Sequence, residues 1–241
     1  MNLVVDIGNT SIKLASVDFN HQVVDMLRVD SWSDAAVLPF LSKNGLFANG
    51  IVSTVRNEPM ELDLTQYVKG SLLFFDSSFK IPIANGYDTP ATLGLDRLAA
   101  AVGANNIFPN SNVLVVDCGT AITIDLISSA ACFEGGNISL GLHTRFKALA
   151  SFTSKLPLVD VDGPFPLVGK NTTDAIRAGV INSVLFELDA YIDRFTSLHP
   201  DLKVLFTGGD AFFFDGKLKN TIFVVPNLVV QGLNRILEYN V

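Results

Sequence analysis

Cysteine is scarce: Cys118 and Cys132 are the only two in 241 residues. Two thiols cannot build a disulfide framework or a four-sulfur zinc site. The three histidines, His21, His143 and His199, are scattered and form no ligand pair at helical spacing. Charge is low, at 17% Asp, Glu, Lys and Arg, and it has no basic excess: 17 Lys and Arg against 24 Asp and Glu give a net charge of −7. Such a chain is not expected to bind nucleic acid, which calls for basic patches. Long apolar runs are missing as well. The richest stretch, Asn112 to Phe133, is broken by Asp117 and Asp125. It falls short of the roughly 18 apolar residues that a membrane span needs. The first apolar run contains Asp6 and follows no basic segment, so no secretory signal is expected. These absences point to the cytoplasm and to no membrane partner. Neither G-x-x-x-x-G-K-[ST] nor G-x-G-x-x-G occurs, which removes the P-loop and dinucleotide-binding readings.

What is present is a foldable core. Hydrophobic residues make up 49% of the chain, far from the composition of a disordered segment. The length allows one large domain or two small ones. An internal echo favours two. Leu3-Val4-Val5-Asp6-Ile7-Gly8-Asn9-Thr10 reads as a buried strand ending in a tight turn, and Leu114-Val115-Val116-Asp117-Cys118-Gly119-Thr120 repeats that grammar. A second β-rich run follows each. The expected division is 1–110 and 111–241, with the join between Asn105 and Asn112. Strands are expected at 2–7, 11–17, 22–29, 50–54, 72–75, 113–118, 121–127, 203–207 and 222–225. Helices are expected at 33–43, 94–107 and 227–238, and a longer one after Asn171. There Ala175, Ile176, Val180, Ile181, Val184, Leu185, Leu188 and Ile192 recur at three- and four-residue steps. Asn171 or Thr172 can cap it. The expected class is α/β, as two duplicated domains with a ligand cleft between them.

Four blocks can carry chemistry. In Asp6-Ile7-Gly8-Asn9-Thr10-Ser11-Ile12-Lys13, Gly8 lets a ligand approach the backbone closely. Turn N–H groups, the Thr10 and Ser11 hydroxyls and Lys13 can hold phosphate oxygens. Asp6 can hold Mg²⁺, directly or through water. The same octet also reads as a hairpin whose Asp and Asn satisfy their own turn. Asp117 to Thr123 repeats the device. Thr207-Gly208-Gly209-Asp210 can lay adenine or ribose against main chain, or serve as an ordinary strand-to-helix loop; Gly135-Gly136-Asn137-Ile138 is similar. In Tyr87 to Arg97, Asp96 and Arg97 fall in the first turn of an apolar helix. A carboxylate there can take a proton from a hydroxyl, and Arg97 can clamp a carboxylate in bidentate fashion. The plainer alternative has Asp96 serving the helix dipole and Arg97 exposed.

Together these blocks resemble the type III pantothenate kinases, members of the superfamily of acetate kinase, sugar kinases, heat-shock chaperones and actin. The resemblance runs nearly end to end. The family pattern D-x-G-N-T-x-x-K is met by Asp6 to Lys13, T-P-x-T-L-G-x-D-R by Thr89 to Arg97, and D-x-G-T-A-x-T by Asp117 to Thr123. G-G-x-I is met by Gly135 to Ile138, and N-T-x-x-A-I by Asn171 to Ile176. The resemblance implies two ribonuclease-H-like (actin-like ATPase) domains. It implies phosphorylation of pantothenate by ATP to 4′-phosphopantothenate, the first step toward coenzyme A. Asp6 to Lys13 and Thr120 would contact ATP. Asp96 would be the general base. Tyr87, Gly94, Leu95, Asp96, Arg97 and Thr172 would bind pantothenate, Thr172 often from the neighbouring subunit of a homodimer. Asp117 would bind K⁺ or NH₄⁺. One departure is Leu140, where the family carries proline. The competing expectations are another small-molecule kinase of the superfamily and a non-catalytic ATP-binding regulator on the same fold.

Overall fold

The computed structural model describes residues 1–56 and 62–241. In chain order the elements are β1 (Asn2–Ile7), β2 (Ile12–Val17), β3 (Val23–Val29), α1 (Asp34–Asn44), β4 (Gly50–Thr54), β5 (Leu72–Phe74), β6 (Ala84–Asn85), α2 (Leu95–Ile107) and β7 (Val113–Cys118). They continue with β8 (Ala121–Ser128), β9 (Cys132–Leu140), α3 (Leu142–Phe152), α4 (Thr172–Leu198), β10 (Lys203–Thr207), α5 (Ala211–Phe214), β11 (Phe223–Val224) and α6 (Leu228–Asn240). Short 3₁₀ turns cover Leu64–Tyr67 and Pro90–Thr92. No helix among the described residues is long and apolar enough to cross a membrane.

The chain forms two compact units. The first comprises Met1–Asn110, Ile127–Gly135 and Asn227–Val241. Its sheet runs β3-β2-β1-β4-β5, with β1 antiparallel to β2 and parallel to β4. Every residue of β1 is buried, as expected of a central strand covered on both faces. Side chains alternate across a strand, so Leu3, Val5 and Ile7 join Val37, Phe40 and Leu41 of α1 in one core. The alternate positions, including Asp6, face the side on which α2 and α6 pack. Ser33 starts α1, its hydroxyl accepting from the Ala36 N–H at 3.3 Å.

The second unit comprises Ser111–Leu126 and Gly136–Pro226. Its strand order is β11-β10-β7-β8-β9, and β10 lies parallel to β7. Helix α4 opens on Asn171, whose side-chain oxygen accepts from the Asp174 N–H at 2.9 Å. Its inner face, Ile176, Val180, Ile181, Val184, Leu188 and Ile192, packs with Leu114, Val116 and Phe206 of the sheet.

Four elements lie outside the expected set: β6, β9, α3 and α5. Gly135-Gly136-Asn137-Ile138 is strand, not loop, because it lies inside β9. The glycine there has a steric cause: a Cβ on Gly136 would meet Asp125 Cα at 2.8 Å. Helix α3 was not expected, although Leu142, Phe146 and Leu149 carry its spacing and pack into the second unit's core.

Candidate active site

In the first unit the β1–β2 hairpin closes on Gly8, whose N–H donates to Ser11 O at 3.0 Å. The register sets Asp6 opposite Lys13, and Lys13 Nζ lies 3.6 Å from Asp6 Oδ2. Asp6 is only 8% exposed. Burial pushes its carboxyl above the usual carboxylate range; Lys13 opposes that rise and the charge of Asp96 adds to it. Asp6 and Asp96 therefore sense one another, although 90 positions of chain separate them. Asp6 is buried and Asp96 half-buried, and a buried carboxylate shifted by both desolvation and named charges is the kind of group found at functional sites.

Asp96 stands in the first turn of α2, where the helix N-terminus favours an anion. Its Oδ1 accepts the Arg97 backbone N–H at 2.8 Å. Gly94 makes room for it: a Cβ there would meet Asp96 Oδ1 at 2.6 Å. Arg97 is not the exposed charge of the plainer reading. It is 7% exposed, and its guanidinium carbon sits 5.7 Å from the ring centroids of both Tyr87 and Phe133. Two aromatic rings thus hold the guanidinium, a favourable arrangement for a desolvated cation. Gly135 sits at φ +115°, and a Cβ there would lie 3.8 Å from Tyr87 Cδ2.

In the second unit Asp117 is the next-to-last residue of β7, and the Gly119 N–H donates to Ala121 O at 3.0 Å, closing the second hairpin. The Thr207–Asp210 block folds back onto it. The Asp210 N–H donates to Cys118 O at 3.0 Å, and a Cβ on Gly208, at φ +91°, would meet Cys118 O at 2.5 Å. Thr120 O accepts the Gly141 N–H at 3.0 Å and the Thr144 hydroxyl at 2.7 Å. Burial first, then Asp117 and Asp210, pushes the Cys118 thiol far up, so it stays protonated and is no nucleophile. Leu140, at the family's proline position, is held at its carbonyl by Arg145 Nε at 2.8 Å, and Arg145 also pairs with Glu187 of α4.

Of the expected site residues, the first unit brings together Asp6, Lys13 and Asp96, and separately Tyr87 with Arg97. Asp117 and Thr120 share a hairpin in the second unit. Thr172 opens α4 and lines a cavity of about 800 Å³ with Leu140, Arg145, Phe152 and Ile176. Phe133 and Arg145 were not expected. Phe133 is one residue before the block of Glu134 and the glycine pair, but nothing in its local sequence signals contact with Arg97.

No group of three or more His, Cys, Asp or Glu among the described residues could hold a metal ion by itself. Mg²⁺ needs no such cage, because it keeps waters and shares phosphate oxygens, so one carboxylate such as Asp6 is sufficient. The Asp117 carboxylate, an oxygen donor, suits K⁺ or NH₄⁺.

A model of the type III pantothenate kinase family matches residues 2–194 of the chain. A type III pantothenate kinase of Phocaeicola vulgatus is 43% identical over 247 aligned positions, covering 100% of this chain and 99% of that one. Among solved structures, an activator of 2-hydroxyisocaproyl-CoA dehydratase from Clostridium difficile, with ADPNP bound, is similar at a TM-score of 0.59 and 13% identity, over 99% of this chain and 93% of that one. A glucokinase from an Antarctic psychrotroph is similar at a TM-score of 0.50 and 14% identity, over 99% of both chains. The two structures show the fold: the actin-like ATPase architecture of ribonuclease-H-like domains.

Proposed function

The chain belongs to the type III pantothenate kinase family, and from that premise we infer that it transfers the γ-phosphoryl group of ATP to the 4′-hydroxyl of pantothenate, opening coenzyme A synthesis. The observation that carries the site assignment is the placement of the two carboxylates: Asp6, buried and 3.6 Å from Lys13 Nζ, and Asp96 in the first turn of α2. One carboxylate lies at a phosphate-type turn and the other at a helix start. Asp6 to Lys13 and Thr120 hold ATP. Tyr87, Gly94, Leu95, Arg97 and Thr172 bind pantothenate, with Arg97 on its carboxylate. Asp96 takes the hydroxyl proton as the oxygen bonds to the γ-phosphorus and ADP leaves. Mg²⁺ near Asp6 and a monovalent cation at Asp117 neutralise phosphate charge when bound. ATP as co-substrate supports the cytoplasmic address. A coupled ADP-release assay tests the reading: turnover with pantothenate and none with glucose or acetate is expected. Turnover with glucose or acetate alone would make it another kinase of the superfamily, and no turnover at all would favour the regulator.

The cation assignment makes its own prediction. Activity should require Mg²⁺, and should rise when K⁺ or NH₄⁺ replaces Na⁺ as the only monovalent ion. Full activity with Na⁺ alone would remove Asp117 from this role.

The working form is a homodimer that uses the face around α4. Exposed Phe152 lines the cavity that Thr172 lines, and exposed Leu167, Val168 and Phe186 line an adjoining hollow that shares Ala175, Gly179 and Ser183 with it. Contiguous exposed apolar surface of this kind marks an interaction site. Sedimentation should return twice the 26.0 kDa chain mass at micromolar concentration. An active monomer would contradict the dimer.

A further inference from the structure

Arg56, just past the end of β4, reaches back to the first hairpin. Its Nε donates to Gly8 O at 2.7 Å, and one terminal nitrogen donates to Asn9 O at 3.1 Å and to Asp30 O at 3.4 Å. The Val55 N–H donates to Ile7 O at 3.0 Å, so the strand that delivers Arg56 is itself tied to the hairpin's base. Nothing in the octet's own sequence announces this partner.

The effect on the turn follows from peptide geometry. None of the described peptide bonds is cis. In a trans peptide the C=O and the following N–H point in opposite directions. Fixing Gly8 O therefore aims the Asn9 N–H, and fixing Asn9 O aims the Thr10 N–H, both away from the guanidinium. Successive N–H groups turned to one side form an anion-binding concavity. The guanidinium stays protonated at any working pH, and its planar fork can serve two carbonyls at once. It adds positive potential behind that concavity.

We propose that Arg56 is a positioning residue for ATP: it orients the Gly8–Asn9 and Asn9–Thr10 peptides so that their N–H groups receive the phosphates. This rests on the reading that Asp6 to Lys13 hold the phosphate chain. Arg56 acts through the peptides and need not touch the nucleotide.

The test compares a ligand with phosphates to one without. Binding of a non-hydrolysable ATP analogue is measured by calorimetry and that of adenosine by ligand-observed NMR, with melting followed by circular dichroism. Arg56→Ala should weaken the analogue by about tenfold, the scale of one lost hydrogen bond to a charged group, and leave adenosine unchanged. Arg56→Lys should keep most of the defect, because an ammonium has the charge but not the fork. Lys-variant binding equal to the parent would overturn the positioning role. So would equal losses for adenosine and the analogue, which would mark a purely structural residue. Lys13→Ala separates the two layers. If it weakens the analogue while both Arg56 variants do not, this proposal fails alone. If neither Lys13 nor Arg56 matters, the phosphate reading of the octet fails with it.

Discussion

Asp96→Asn should lower kcat by about 10²–10⁴, the usual contribution of a general base, while ATP still binds. The amide keeps the size of the side chain and its acceptor oxygen, so the contact with the Arg97 N–H at 2.8 Å can persist. What it loses is the capacity to take the hydroxyl proton. Phosphoryl transfer asks a protein mainly for position and charge neutralisation, so a residual rate should remain. Asn also removes a negative charge that raises the Asp6 carboxyl. Asp6 should then ionise more readily, and nucleotide binding should not be lost through that residue. Turnover within a few-fold of the parent, with an unchanged circular dichroism spectrum, would move the base assignment to Asp6 or Asp117.

Gly232→Val should be the most damaging change away from the site. Helices α2 and α6 meet backbone to backbone. A Cβ on Gly232 would run into the Ala99 carbonyl and lie 3.0 Å from Gly103 N, while one on Gly103 would meet Leu228 O at 2.6 Å. Glycine inside a helix costs roughly 0.5–1 kcal/mol relative to alanine, so propensity alone would favour its replacement. The steric term wins here because the obstacles are main-chain atoms of a buried helix and cannot rotate aside. Overpacking a core costs typically 1–3 kcal/mol and sometimes more; with backbone in the way, about 3 kcal/mol is expected. For a chain of this size that lowers Tm by roughly 6–12 °C. Because α2 begins with Asp96 and Arg97, activity should fall with stability. A Gly232→Val protein that melts with the parent would mean that α2 and α6 are not so closely apposed.

Much of this was legible in the sequence, for identifiable reasons. Strands 2–7, 50–54, 113–118 and 203–207 have the expected bounds because each is a dense apolar run closed by turn residues. Helix α4 declared itself by its three- and four-residue spacing and by Asn171 at its start. Strand β9 did not, since Glu134, the glycine pair and Asn137 break any apolar alternation. Its logic is steric and lies in Asp125 of the neighbouring strand. The acid at 96 could be picked out by its place before an apolar helix. The burial of Arg97 could not, because it depends on Phe133, which arrives from a different part of the chain. The tie from Arg56 to Gly8 and Asn9 was hidden for the same reason.

Label transfer reads out whether Asp96 drives phosphoryl transfer to pantothenate. Parent and Asp96→Asn proteins are incubated with pantothenate and ATP labelled in the γ-phosphoryl group, with Mg²⁺ and K⁺ present. The parent should place label in 4′-phosphopantothenate and the variant almost none. Label released only as inorganic phosphate by the parent, or equal labelling of pantothenate by both proteins, would contradict it.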